Sequence, residues 1–230
     1  MHSGRLWVGA FGLFCSPALA GTPVPDRPTR SRSGRLVSAG SLEAEVGGGW
    51  SGDAAAIPLR VKGSNGRVEP RVSLDLGAVG DGPPGLEVGT KLGVLQDRTV
   101  QVAGQVHSAI PLDGDIWTGE VGGLVSLSKG GLEVRTDVAL ALEGGGGLTT
   151  AGVPLSALVG WGSSARWAGF VDAGVTMFGG GVSTAPLVMG GARWTPTDRL
   201  HADAAFGWDA EYGEPHAAVG IISNFGRMRR

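Results

Sequence analysis

The sequence predicts an all-β protein, a closed antiparallel up-and-down transmembrane β-barrel of about 12 strands. Three observations carry this. Apolar and polar residues alternate with a period of two along almost the whole chain, tight turns alternate with looser glycine-rich connections, and tryptophans sit at the ends of the alternating segments. Alternation means a strand because successive strand side chains point to opposite faces.

Before the first strand, Arg5 supplies a short basic region, Leu6 to Cys15 an apolar stretch, and Ala18-Leu19-Ala20 a small-residue cleavage site ahead of Gly21. This order marks residues 1–20 as a secretory signal peptide, cut between Ala20 and Gly21. Phe14 stands where a lipoprotein signal needs a small residue, so Cys15 is not read as a lipidation site. Removing Cys15 leaves the mature chain without cysteine, and an exported protein without disulfides depends on a core, a metal or an extended backbone ladder. The histidines left, His107, His201 and His216, have no Cys or His partner at ligand spacing, so no metal or other cofactor is expected. Residues 21–40, with Pro23, Pro25, Pro28, Arg27, Arg30, Arg32 and Arg35, read as a flexible basic periplasmic leader.

The barrel is expected over residues 41–225. Ser41 to Trp50 sets Leu42, Ala44, Val46 and Trp50 against Glu43 and Glu45. Ala55 to Lys62 sets Ile57, Leu59 and Val61 against Arg60 and Lys62, and Asn65-Gly66 supplies a hairpin turn. Val68 to Leu76 then alternates without a fault, with Glu69, Arg71, Ser73 and Asp75 on the polar face. Leu86 to Val94 contributes Glu87 and Lys91, Thr99 to Ile110 contributes Gln101, Gln105 and His107, and Trp117 to Ser128 contributes Glu120. Leu132 to Glu143 is the clearest segment, with Leu132, Val134, Val138, Leu140 and Leu142 against Glu133, Arg135, Asp137 and Glu143. Thr150 to Trp161 and Trp167 to Phe178 have weaker contrast but keep phase, the latter with Asp172 on its polar face. Pro186 to Trp194 (with Arg193), Leu200 to Asp209 (with His201 and Asp203) and His216 to Phe225 complete the series. Segments of this length suit tilted membrane strands of ~10 residues, and an even count leaves both termini on one side, read as the periplasmic side of an outer membrane reached by Sec export.

Tryptophan placement separates a membrane barrel from a soluble exported β-sandwich. Trp161, Trp167 and Trp194 flank tight turns, Trp50, Trp117 and Trp208 lie near looser loops, and each shares the apolar face of its strand. Two aromatic girdles are what two membrane interfaces select, whereas a sandwich would bury its tryptophans mid-strand.

In hydrocarbon the charges on the polar face would each cost several kcal/mol, so they must face water or one another inside the barrel. Acids outnumber bases on that face. The lumen is therefore expected to be net acidic and either to favour neutral or cationic solutes or to be too filled to conduct. Enzyme readings find little: there is no Gly-x-Ser-x-Gly elbow, no His-Glu-x-x-His, and the His201/Asp203 pair is more simply two lumen polar groups. A net charge of -2 offers no basic field for nucleic acid. Outer-membrane lipid, the barrel-assembly machinery and a small solute are the expected partners.

The stretches Ile57-Pro-Leu-Arg-Val, Asn65-Gly-Arg-Val-Glu-Pro-Arg-Val-Ser-Leu-Asp-Leu-Gly, Val125-Ser-Leu-Ser-Lys-Gly-Gly-Leu-Glu-Val and Arg193-Trp-Thr-Pro-Thr-Asp-Arg-Leu-His-Ala-Asp-Ala-Ala-Phe-Gly, taken in order, resemble the small outer-membrane transporter barrels grouped with the phenol-degradation meta-pathway family. The resemblance runs from about Leu42 to Phe225 and implies a twelve-stranded barrel that passes small solutes, aromatic ones among them. It transfers no catalytic residue. Such barrels usually end on an aromatic residue read by the assembly machinery, a role that falls here to Phe225, although residues 226–230 follow it as a basic tail. Deleting residues 226–230 is expected to leave membrane insertion unchanged or improved, as scored by heat-modifiable migration; lost insertion would deny Phe225 that role.

Overall fold

In lipid a backbone polar group has no water to bond, so a spanning sheet must satisfy its own edges by closing. A computed structural model shows such closure; it describes residues 32–51, 54–76, 84–112, 117–145, 148–162, 166–178, 186–209 and 213–227. The strands are β1 (Ser41–Ser51), β2 (Ala54–Ala56), β3 (Pro58–Gly63), β4 (Val68–Asp75), β5 (Gly85–Gln96), β6 (Val100–Pro111), β7 (Trp117–Lys129), β8 (Leu132–Gly145), β9 (Leu148–Gly162), β10 (Trp167–Phe178), β11 (Leu187–Thr197), β12 (Leu200–Asp209) and β13 (Glu214–Arg227). Each pairs antiparallel with its neighbours in chain order, except that β2 and β3 both pair with β1, and β1 also pairs with β13 from Ser41↔Arg227 to Ser51↔His216. Because β2 and β3 share one stave, thirteen strands make a twelve-stave barrel. The expected strand Ala55 to Lys62 is thus interrupted at Ile57, just before Pro58, whose ring restricts the preceding residue and which has no N–H to give. One sheet closed on itself, rather than two packed sheets, replaces the sandwich alternative.

The tight turns gather at the end that holds Ser41 and Arg227. At the β7–β8 hairpin, Gly130 (φ 61°) and Gly131 (φ 83°) both take left-handed backbone conformations between the paired residues Lys129 and Leu132, as a two-residue hairpin of matching twist demands. The Asn65-Gly66 turn is wider than a two-residue hairpin. Asn65 Oδ1 accepts hydrogen bonds from the Arg67 and Val68 N–H groups at 2.9 and 2.8 Å, while Gly66 takes φ 91°.

The outer face is apolar. Val72, Leu92, Val121, Val138, Leu140, Val159 and Val188 expose about half of their surface, a pattern that burial in water-excluding lipid explains and a soluble surface does not. All six tryptophans of the strands, Trp50, Trp117, Trp161, Trp167, Trp194 and Trp208, lie on this face and are 42–52% exposed. Trp167 and Trp194 are cross-strand partners and stack at the tight-turn end, with centroids 6.1 Å apart and 24° between planes. Phe225 also points outward, and β13 continues through Arg227. Residues 226 and 227 are therefore wall rather than tail. The signal-peptide residues Ala20 and Gly21, the leader up to residue 31 and residues 228–230 lie outside the described residues.

Two of the outward-facing tryptophans cover cross-strand glycines. Trp161 faces Gly169 and Trp117 faces Gly144, and a Cβ on either glycine would lie 2.8 or 2.6 Å from the indole ring. The bare backbone lets the ring lie flat and shields the strand hydrogen bonds beneath it. Gly169→Val should lift Trp161 and lower unfolding stability by about 1–3 kcal/mol, read as an earlier midpoint in the heat-modifiable gel shift.

Candidate functional site

The inner face collects the charges, and strand register decides which of them meet. Glu43 and Glu45 of β1 face Lys62 and Arg60 of β3 directly across the pair. Lys62 Nζ lies 2.7 Å from Glu45 Oε1 and 3.4 Å from Glu43 Oε2, and Arg60 is 3.7 Å from Glu45. Arg60 also donates to Ser73 Oγ at 2.6 Å and to Glu87 at 3.3 Å. Glu69 and Lys91 pair across β4 and β5, with 3.6 Å between charges. Arg71 lies 3.8 Å from Glu87 and donates to Gln105 at 3.2 Å. On β8, Arg135 Nε reaches Glu133 at 2.6 Å, and Arg193 of β11 faces Asp203 of β12. Most of these side chains are buried: Glu43, Glu69 and Lys91 are 0% exposed. Asp172 is buried too, whereas Asp75, near the opposite end of β4, is half-buried. His201 binds Thr195 Oγ1 through Nδ1 at 3.1 Å, while Asp203 faces Arg193 across the strand pair.

Residues 32–40 depart from the expected flexible leader. Arg32, Ser33, Leu36 and Val37 are buried, and the segment runs extended up the inner wall as a strap, entering at the tight-turn end. The Val37 N–H donates to Glu69 Oε2 at 2.7 Å, the Leu36 N–H to Gln96 Oε1 at 3.0 Å, and the Gly34 N–H to Ser126 Oγ at 2.9 Å. Gly34 can approach because it lacks a Cβ, which would sit 2.7 Å from the Gln101 carbonyl oxygen and 3.0 Å from that of Leu124. At the far end Arg32 makes a forked ion pair with Glu120 and lies 3.7 Å from Asp137. His107 Nε2 completes this cluster, 3.2 Å from Glu120 Oε2. Composition concealed the strap, since residues 21–40, with four arginines and three prolines, read as solvated. Leu36-Val37 and the surplus of wall acids over wall bases were the available signals.

Two further features complete the lumen. A cavity of about 400 Å³ opens at the tight-turn mouth, between Leu36 and Val37 of the strap and Gln96, Asp97 and Arg98 of the wall. The Thr99 and Arg98 N–H groups hold the Asp97 carboxyl in that turn below the usual carboxylate range, beside Arg98 and Arg35 at the same mouth. On the opposite wall, Leu158, Phe170, Leu187, Met189 and Ala205 of β9 to β12 form an inward apolar sector that sequence reasoning did not anticipate.

The fold has known counterparts. The NanC porin superposes with a TM-score of 0.67 at 10% identity, covering 78% of this chain and 98% of that one. The KdgM porin, solved in complex with disordered oligogalacturonate, gives 0.68 at 8% identity over 80% and 99%. The COG4313 outer membrane channel from Pseudomonas putida F1 gives 0.65 at 11% identity over 83% and 97%. No family model and no curated protein matches the chain. At these identities the likeness establishes the fold: a twelve-stave barrel of the kind seen in small outer-membrane porins and channels.

Lys62 holds two buried carboxylates at once. Lys62→Met should destabilise the barrel by about 3–5 kcal/mol by removing the ammonium that Glu43 and Glu45 share, and the triple variant with Glu43→Gln and Glu45→Gln should recover most of that loss, measured by urea unfolding of the refolded protein.

Proposed function

We propose that this protein is an outer-membrane channel, exported by the Sec route with both termini in the periplasm, for small neutral or cationic solutes including aromatic ones. Kinship with the phenol-degradation barrels belongs to the same proposal. The observation that carries it is the separation of faces: apolar side chains meet lipid, while ionised side chains line the inside, where a pore would need them. An inner face that is densely charged from β1 to β8 and carries an apolar patch, Leu158, Phe170, Leu187 and Met189, among fewer charges from β9 to β12 suits a solute with an ionic end and an apolar body. The girdle tryptophans are assigned to the two membrane interfaces and Phe225 to recognition by the assembly machinery.

A second reading, a structural or binding barrel that does not conduct, is favoured by one observation. Glu43, Glu45, Lys62, Glu69 and Lys91 are at most 1% exposed and the strap bonds Glu69, so side chains and strap together crowd this part of the lumen. Planar-bilayer recordings in a KCl gradient, with liposome swelling for neutral solutes, decide between the two. Discrete steps with a reversal potential favouring K⁺ over Cl⁻ are the expected result. Silence in both assays establishes the second reading, and anion preference removes the acidic-lumen account.

A further inference from the structure

Arg32 is not part of the wall, yet its guanidinium sits where the wall has gathered two carboxylates. Glu120 on β7 and Asp137 on β8 have side chains only 11% and 8% exposed. Arg32 forks onto Glu120, Nη1 to Oε1 and Nη2 to Oε2, the second bond measuring 3.0 Å, and its Nε is 3.7 Å from Asp137 Oδ2. Gln105 Nε2 donates to Glu120 Oε1 at 3.0 Å and holds that carboxylate in plane. Asp137 Oδ1, though buried, accepts no hydrogen bond from the described residues.

The rest of the wall provides its own cations. Glu43 and Glu45 have Lys62, Glu69 has Lys91, Glu133 has Arg135, and Glu87 has Arg60 and Arg71. Among the described residues, Arg32 is the one Arg or Lys paired with Glu120 or Asp137, and it comes from a strap outside the strand ladder. Without it, Glu120 would keep Gln105 and His107, at 3.0 and 3.2 Å, and Asp137 would have no direct ion-pair partner among the described residues. A planar, weakly hydrated fork suits that arrangement better than a compact ammonium or a metal ion.

We propose that Glu120 and Asp137 form a binding site for small guanidinium-type organic cations, and that Arg32 is its tethered occupant, displaced when such a solute enters. The proposal rests on the reading of the lumen as a solute path and adds the solute's chemical class. Removing Arg32 vacates the site, whereas Gly34→Val keeps all three charged groups and pushes the strap off the Gln101 and Leu124 carbonyls.

The test is calorimetric titration of methylguanidinium into the full barrel in detergent micelles, with closure of each variant verified by heat-modifiable migration. Arg32→Gln should bind the probe about tenfold or more tightly than the unmodified chain, Gly34→Val should fall between them, and adding Glu120→Gln to Arg32→Gln should abolish the gain. Methylammonium should not substitute for the probe. Equal affinity with and without Arg32, or a gain that survives Glu120→Gln, overturns the proposal. Should the variants fail to close, the unmodified chain gives the answer. Methylguanidinium should speed tryptic cleavage after Arg35 relative to NaCl of equal ionic strength, and an unchanged rate overturns the site. Binding in micelles requires no flow, so a barrel that binds but stays silent in bilayers removes the path, whereas one that conducts without binding removes the site alone.

Discussion

The pairing of β1 with β13 is the contact on which everything else depends. An open twelve-stave sheet would present two unpaired edges to hydrocarbon, each N–H and C=O an uncompensated polar group, and the register from Ser41↔Arg227 to Ser51↔His216 removes both edges. Closure enforces the period of two, because every strand then has one face toward lipid and one toward the axis. It also fixes where charge can go. A side chain that ionises has nowhere to sit but inside.

Inside, confinement sets a second requirement. Buried charges are tolerable when each meets an opposite charge and its remaining polar atoms find hydrogen bonds, and cross-strand register is the simplest way to arrange this. Glu43↔Lys62, Glu45↔Arg60, Glu69↔Lys91 and Arg193↔Asp203 are all direct cross-strand partners. Where register brings no cation, at Glu120 and Asp137, the chain supplies one from outside the sheet. The wall and the strap are thus two parts of one electrostatic arrangement, and on β9 to β12 fewer buried charges, Arg193 and Asp203 among them, sit beside the apolar patch of Leu158, Phe170, Leu187 and Met189.

Much of this was legible in the sequence, and the boundary of legibility has a physical reason. Leu132 to Glu143 announces its two faces because lipid and lumen select opposite chemistries residue by residue, and Glu133, Arg135 and Asp137 turn inward while Leu132, Val138 and Leu140 turn outward. Where both faces are apolar the contrast fades. Leu158 and Phe170 point inward as surely as Glu133 does, yet nothing in their type distinguishes them from their lipid-facing neighbours. The stacking of Trp161 over Gly169 depends on inter-strand register, which alternation alone does not specify. The strap was hidden because Arg32 and Arg35 describe an exposed tail and a charged plug equally well, and only the acids awaiting it could tell them apart.

The strap's short tether gives the lumen a sensitivity scale. Between Arg32 and the first residue of β1, Ser41, the chain is too short for the guanidinium to wander far, so the site experiences it at an effective concentration on the order of millimolar. A free competitor present in traces would leave Arg32 in place, whereas one that accumulates to comparable levels would shift it without unzipping a single strand. The barrel would then respond to abundance, remaining filled in a dilute environment and becoming accessible when its solute is plentiful.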